Sequence, residues 1–191
     1  MNKGRLEAFS DGVIAILITI MVLGLHIPRG TTLAALRPLV PEFLTYLLSF
    51  VYLAIYWNNH HHLLHAADKT SGGILWANMH LLFWLSLIPF VTGWMGENSF
   101  APVPTAVYGV VLLFAAIAYW ILQQLIIRLQ GPGSRLAAAL GRDLKGKISP
   151  FLYSAAIPLA FVDRWFSYGL YVFVALMWLV PDRRIESKLY R

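Results

Sequence analysis

Residues 5–25 read RLEAFSDGVIAILITIMVLGL, and in them Arg5, Glu7 and Asp11 stand within two turns of thirteen residues, Val13 to Leu25, of which only Thr19 is polar. A bilayer core of about 30 Å asks for roughly 20 apolar residues in a helix, and an apolar segment from about Gly4 to His26, stopped by Pro28 and Gly30, meets that length. The start is basic like a secretory signal, yet its core is acidic at the entrance and has no small-residue cleavage site before HIPRG, so it reads as a retained first span. Charge carried to the edge of hydrocarbon needs a partner, because an unpaired ion there costs several kcal/mol.

The whole chain shares this character. Its 191 residues are 59% hydrophobic and 13% charged, with mean hydropathy +0.65, against about 25% charged in ordinary soluble domains. The composition is that of an all-α polytopic membrane protein, a single transmembrane domain over residues 1–191 with no room for a large soluble module. Absence of cysteine excludes disulfides, thiolate metal sites and cysteine nucleophiles.

Breakers divide the chain into six expected spans, at about 4–26, 39–64, 74–94, 104–129, 148–162 and 165–180. Pro89 and Pro158 read as ordinary membrane-helix kinks. The last two segments are short and admit a re-entrant reading, but two spans balance the basic residues better. With both termini on one face, that face receives Lys3, Arg5, Lys69, Arg128, Arg135, Arg142, Lys145, Lys147, Arg183, Arg184, Lys188 and Arg191, twelve in all, and the other only Arg29, Arg37 and Arg164. The positive-inside bias makes both termini cytoplasmic, in a multi-pass protein of the cell (inner) membrane. Since the basic residues lie between apolar runs, they set topology, and no nucleic-acid partner is expected. The loop from Gln130 to Lys147 reads as a solvated linker near anionic headgroups.

Two polar clusters touch the spans: the opening stretch, and YWNNHHHLLH at residues 56–65. His61 and His65 are one helical turn apart, as a shared metal ion would ask, but the six histidines are too few and too scattered for a di-iron oxygenase, and no metal site is expected. The first span starts where the second ends, so one or two of these histidines are expected to pair with Asp11 or Arg5. No nucleophile elbow, HExxH or Walker loop is present, and the chain is not expected to be an enzyme. A small proton-coupled or cation secondary transporter using the histidine cluster is the alternative reading. On a helical wheel Ile16, Thr19, Ile20 and Leu23 share one face, continued by Gly12 and Phe9 with Arg5 near the same line, while Asp11 points elsewhere.

Arg5, Phe9, Ser10 and Asp11 spell RxxxFSD, and Trp57, His60 and His61 on the second span spell WxxHH. Together they closely resemble the transmembrane protein 175 family of potassium channels, specifically its prokaryotic members, by motif in the first two spans and by architecture over the whole chain. The resemblance implies a weakly potassium-selective cation channel, a homotetramer whose first helices line the pore. It implies no re-entrant carbonyl filter and no cofactor beyond the permeant potassium ion, with other monovalent cations and the lipid bilayer as the remaining partners. The family's aliphatic ring five residues after the motif aspartate falls on Ile16, with Ile20 and Leu23 as further hydrophobic layers, Thr19 as a hydroxyl layer, and the whole acting as gate and filter. Arg5, Phe9, Ser10 and Asp11 would then form a structural network with Trp57, His60 and His61, carrying proton sensitivity through the histidines. Leu64 replaces an aromatic expected after WxxHH, and His62 is extra.

Overall fold

The computed structural model describes residues 3–67, 69–131 and 144–179, and no strand occurs among the described residues. Helix α1 is Lys3–Leu23; a short 3-10 helix, Leu33–Leu39, leads into α2, Val40–His65; α3 is Gly72–Ser86 and α4 Ile88–Glu97; α5 is Pro102–Gln130, α6 Leu144–Leu159 and α7 Arg164–Leu179. Arg135, Arg142, Arg183, Arg184, Lys188 and Arg191, six of the twelve residues in the topology count, lie outside the described residues.

Among the described residues, four stretches are long and apolar enough to cross a membrane: the 21 residues of α1, 33 from Leu33 to His65, 26 from Gly72 to Glu97, and the 29 of α5. Helices α6 and α7 hold 16 residues each, about 24 Å at 1.5 Å per residue, against a hydrocarbon core of about 30 Å. Within the described residues α6 is helical from Leu144 to Leu159 and α7 from Arg164 to Leu179, against expected spans of 148–162 and 165–180, of which residue 180 lies outside the described residues. Pro158 sits in the last turn of α6. Asp163 then caps the next helix, its Oδ1 accepting from the Trp165 N–H at 2.9 Å.

The third apolar segment is a broken helix. Pro89 has no N–H and its ring crowds the carbonyl four residues back, so α3 closes at Ser86 and the Leu87 N–H takes the nearer Trp84 carbonyl at 3.2 Å. Helix α4 restarts with Pro89 in its first turn, where a missing donor is harmless. Ser71 caps the other end of α3, its hydroxyl accepting from the Ile74 N–H.

Helix α5 is the central post, packed most extensively against α3 and α6. Small residues on it, Ala106, Ala115 and Ala118, are buried and let neighbouring backbones approach. At Gly109 a Cβ would collide with the Tyr171 hydroxyl of α7. That hydroxyl donates to the Thr105 carbonyl at 3.0 Å, while Tyr52 of α2 donates to the Tyr171 carbonyl at 2.7 Å. The interior is thus held by tyrosine hydroxyls reaching backbone oxygens as well as by apolar packing.

Two ends of the bundle follow from the contacts. At one, Lys3 Nζ donates to the His65 carbonyl at 2.8 Å and Gln130 Nε2 to the Ala66 carbonyl at 2.8 Å, bringing together the start of α1 and the ends of α2 and α5. At the other, the chain leaving α1 is clasped by Glu42 in the first turn of α2, whose carboxylate takes both the His26 backbone N–H at 3.1 Å and His26 Nδ1 at 2.8 Å.

Candidate functional site

Helix α1 has two unlike long faces. Leu6, Ser10, Ile14, Leu17 and Met21 are buried against α2, α3 and α4. On the opposite side Phe9, Ile16, Ile20 and Leu23 are 50%, 57%, 47% and 82% exposed, with Arg5, Gly12 and Thr19 exposed along the same line. Thr19 Oγ1 donates to the Ile16 carbonyl at 2.8 Å, so the one hydroxyl on this face is satisfied within its own helix. A helix that buries one aliphatic stripe in its own chain and presents another outward has either lipid or further protein before that second stripe.

The buried stripe is anchored by a chain of polar side chains. Ser10 Oγ donates to the Leu6 carbonyl at 2.9 Å and accepts from Asn78 Nδ2 at 2.9 Å, while Asn78 Oδ1 accepts from His60 Nε2 at 2.6 Å. All three side chains are wholly buried and join α1, α3 and α2. Because Asn78 spends its donor on Ser10 and its acceptor on His60, the imidazole must donate through Nε2. Its Nδ1 has no partner among the described residues.

A second set of contacts lies nearer the surface. Asp11 Oδ1 accepts from the Trp57 indole N–H at 3.0 Å. Glu7 approaches His61 Nδ1 at 3.4 Å, and the His61 ring lies between Trp57 and His65, with centroids 6.1 Å and 6.0 Å away. Residues 57, 61 and 65 recur every four positions, so their rings form a column along α2 opposite the start of α1.

The pairing expected of the motif charges therefore needs correction. Neither Asp11 nor Arg5 meets a histidine: Asp11 meets Trp57, and Glu7 takes the imidazole of His61. Arg5 is exposed on the outward line, since residues 5 and 7 are about 200° apart on a helix and only one of them faces α2. Phe9 likewise points outward. His60 and His61, adjacent in sequence, turn to different helices, and no group of three metal-ligating side chains occurs among the described residues. Asn78 belongs to neither motif, although an amide inside ILWANMHLLFWL carries the same signal as a charge inside a span.

A family model described as "Endosomal/lysosomal potassium channel TMEM175" matches residues 5–89. A potassium channel of Chryseobacterium sp. is 53% identical over 189 residues, covering 99% of this chain and 98% of that one. The crystal structure of a lysosomal potassium-selective channel TMEM175 homolog from Chamaesiphon minutus superposes with a TM-score of 0.79 at 29% identity, covering 94% of this chain and 97% of that one. The human endosomal/lysosomal proton channel TMEM175 is 35% identical over 96 residues, 44% of this chain and 19% of that one.

Proposed function

The chain belongs to the TMEM175 family, a family of channels rather than enzymes, and on that premise we propose that it is a potassium channel whose pore is lined by α1 from four copies. The observation that carries this reading is the outward stripe of α1: Ile16, Thr19, Ile20 and Leu23 are exposed in the single chain although the helix is pinned by its other face. Four such stripes facing one axis enclose a conduit with a ring of Ile16 side chains at its narrowest level and Ile20 and Leu23 beyond.

Such a ring offers no oxygen to replace hydration. When tight it dewets and blocks; when ajar it passes ions that shed water more easily, which favours potassium over sodium modestly. Arg5 stands on the same line at the entrance, and Thr19 supplies a hydroxyl layer between aliphatic ones. Six crossings with both termini cytoplasmic in the cell (inner) membrane complete the proposal, supported by the positive-inside count. The permeant ion is the only small partner the mechanism requires. The transporter reading is set aside because His60 and His61 are engaged in holding helices together.

The experiment is potassium flux into liposomes from a single Ile16→Cys protein, which the cysteine-free sequence makes specific. Block by a charged thiol reagent supports the pore assignment. Unaltered flux after complete modification at Ile16 would place the pore elsewhere.

A further inference from the structure

Helix α3 carries a single ionisable side chain, and it stands on the outer surface of the bundle. His80 is exposed, two residues and so about 200° round the helix from Asn78, which is bonded to Ser10 of α1. His80 therefore points away from α1, and with copies arranged around α1 as proposed above it points away from the pore. Its neighbours on that surface are apolar: Trp76 one turn earlier is 79% exposed, and Phe83 and Phe114 of α5 are exposed as well. Such a surface, on a stretch long and apolar enough to span, faces lipid.

The imidazole is held by its other side. The Trp84 indole N–H donates to His80 Nε2 at 2.9 Å, and the Trp84 ring stacks on Phe114 with centroids 4.6 Å apart. An indole nitrogen only donates, so Nε2 is the bare acceptor of this pair and the ring hydrogen sits on Nδ1. That N–H makes no hydrogen bond with any described residue. Left unpaired in hydrocarbon, a donor costs about 1–3 kcal/mol, and a lipid tail offers it no acceptor.

Depth decides which acceptor can reach it. Helix α3 starts at the end of the bundle where Lys3, His65 and Gln130 meet. An exposed tryptophan near that start marks the headgroup level, and His80 lies one turn, about 6 Å, farther in than Trp76. Just inside the hydrocarbon the acyl ester carbonyls are the deepest acceptors that a phospholipid carries, whereas its phosphate lies farther out. We propose that the His80 Nδ1–H binds an acyl ester carbonyl of a phospholipid in the leaflet at this end, the cytoplasmic one in the proposed topology. The acyl chain beyond that carbonyl runs over Phe83 and the Trp84–Phe114 pair, and Trp84 acts as a positioning residue that keeps the hydrogen on Nδ1.

The test is native mass spectrometry of the full chain released from detergent. It is titrated with a diacyl phosphatidylethanolamine and with its dialkyl ether analogue, which has the same headgroup and chain length but no carbonyl. The parent protein is expected to bind the first ester lipid about fivefold more tightly than the ether. His80→Phe, which keeps an aromatic ring on the surface, is expected to bind the two alike. Equal binding of both lipids by the parent, or an ester preference undiminished in His80→Phe, would overturn the proposal. A parent indifferent to the ester, whose copies separate in His80→Phe, would overturn it by giving the N–H to a second copy. The comparison on the parent needs no variant, so it stands even if His80→Phe disturbs folding. Although the outward placement of His80 rests on the pore reading, lipid binding is read without ion flux and the Ile16→Cys flux without lipid exchange, so the two can fail separately.

Discussion

His60 and Asn78 meet at 2.6 Å with neither side chain exposed, and through Asn78 the imidazole of α2 is joined to Ser10 of α1. One amide thus serves two helices at once, and its removal strands a donor on His60 and an acceptor on Ser10.

Asn78→Leu is therefore expected to destabilise the fold by about 1–3 kcal/mol, because the His60 N–H and the Ser10 hydroxyl lose a partner together. Ser10→Ala removes the bond from Asn78 and the local one to the Leu6 carbonyl but leaves His60 paired, and is expected to lose less. Thermal unfolding in detergent, followed by loss of the monodisperse peak, ranks the two; an Asn78→Leu protein as stable as its parent would refute the linkage.

At the neighbouring contact, Asp11→Asn keeps an oxygen for the Trp57 indole and should change stability little. Asp11→Leu and Trp57→Phe each break the bond and should lose about 1 kcal/mol, and the double variant should lose little more than either alone. Additive losses would mean that the two residues act separately.

At the proposed constriction, Ile16→Ala widens the ring and Ile16→Asn wets it. Both are expected to raise potassium flux on the order of tenfold, equivalent to about 1.4 kcal/mol of barrier, with a fall in potassium over sodium preference. Liposome flux with each cation in turn measures this. Leu6→Ala, on the buried face of the same helix, should instead lower stability.

Glycines separate close packing from open space. A Cβ at Gly96 would lie 2.6 Å from Thr45 Oγ1 and 2.8 Å from the Glu42 Cα, so Gly96→Ala should destabilise by about 1–3 kcal/mol as α4 is pushed from α2. At Gly12, on the outward stripe, a Cβ meets nothing within 4 Å in the chain. Gly12→Ala should stabilise the helix by about 0.5–1 kcal/mol, and any loss of flux in that variant reports on neighbouring copies. Unfolding curves and flux on the same preparations check both.

Much of this was readable in advance because a membrane penalises polar groups so heavily that any inside a span points to a contact. That is why RxxxFSD and the histidine run marked where α1 and α2 meet, and why the wheel separated Ile16, Ile20 and Leu23 from Asp11. The specific partners were less legible. Glu7 rather than Asp11 reaches a histidine because the two carboxylates, one turn apart, face α2 at successive levels, Asp11 opposite Trp57 and Glu7 opposite His61, and the level of one helix against another depends on an offset that the sequence does not state. The tyrosine hydroxyls leave no comparable signal, because a tyrosine suits the interface as well as the interior; Tyr52, Tyr108, Tyr153 and Tyr171 are each buried in the bundle. Pro89 was seen as a bend, but the full break at Leu87 follows only once α4 must turn to pack on α2 and α5.

That break divides the support of α1 between two independent struts. Through Asn78, α3 holds the end of α1 where the charges sit, whereas α4 touches α1 farther along and abuts Glu42 and Thr45 through Gly96, beside the His26 clasp. A continuous helix would transmit a tilt at one end to the other as a rigid lever. With no regular hydrogen-bond ladder across Leu87, the two ends of α1 are braced by separate pieces, and movement at its Leu23 end need not disturb the anchor at its Ser10 end.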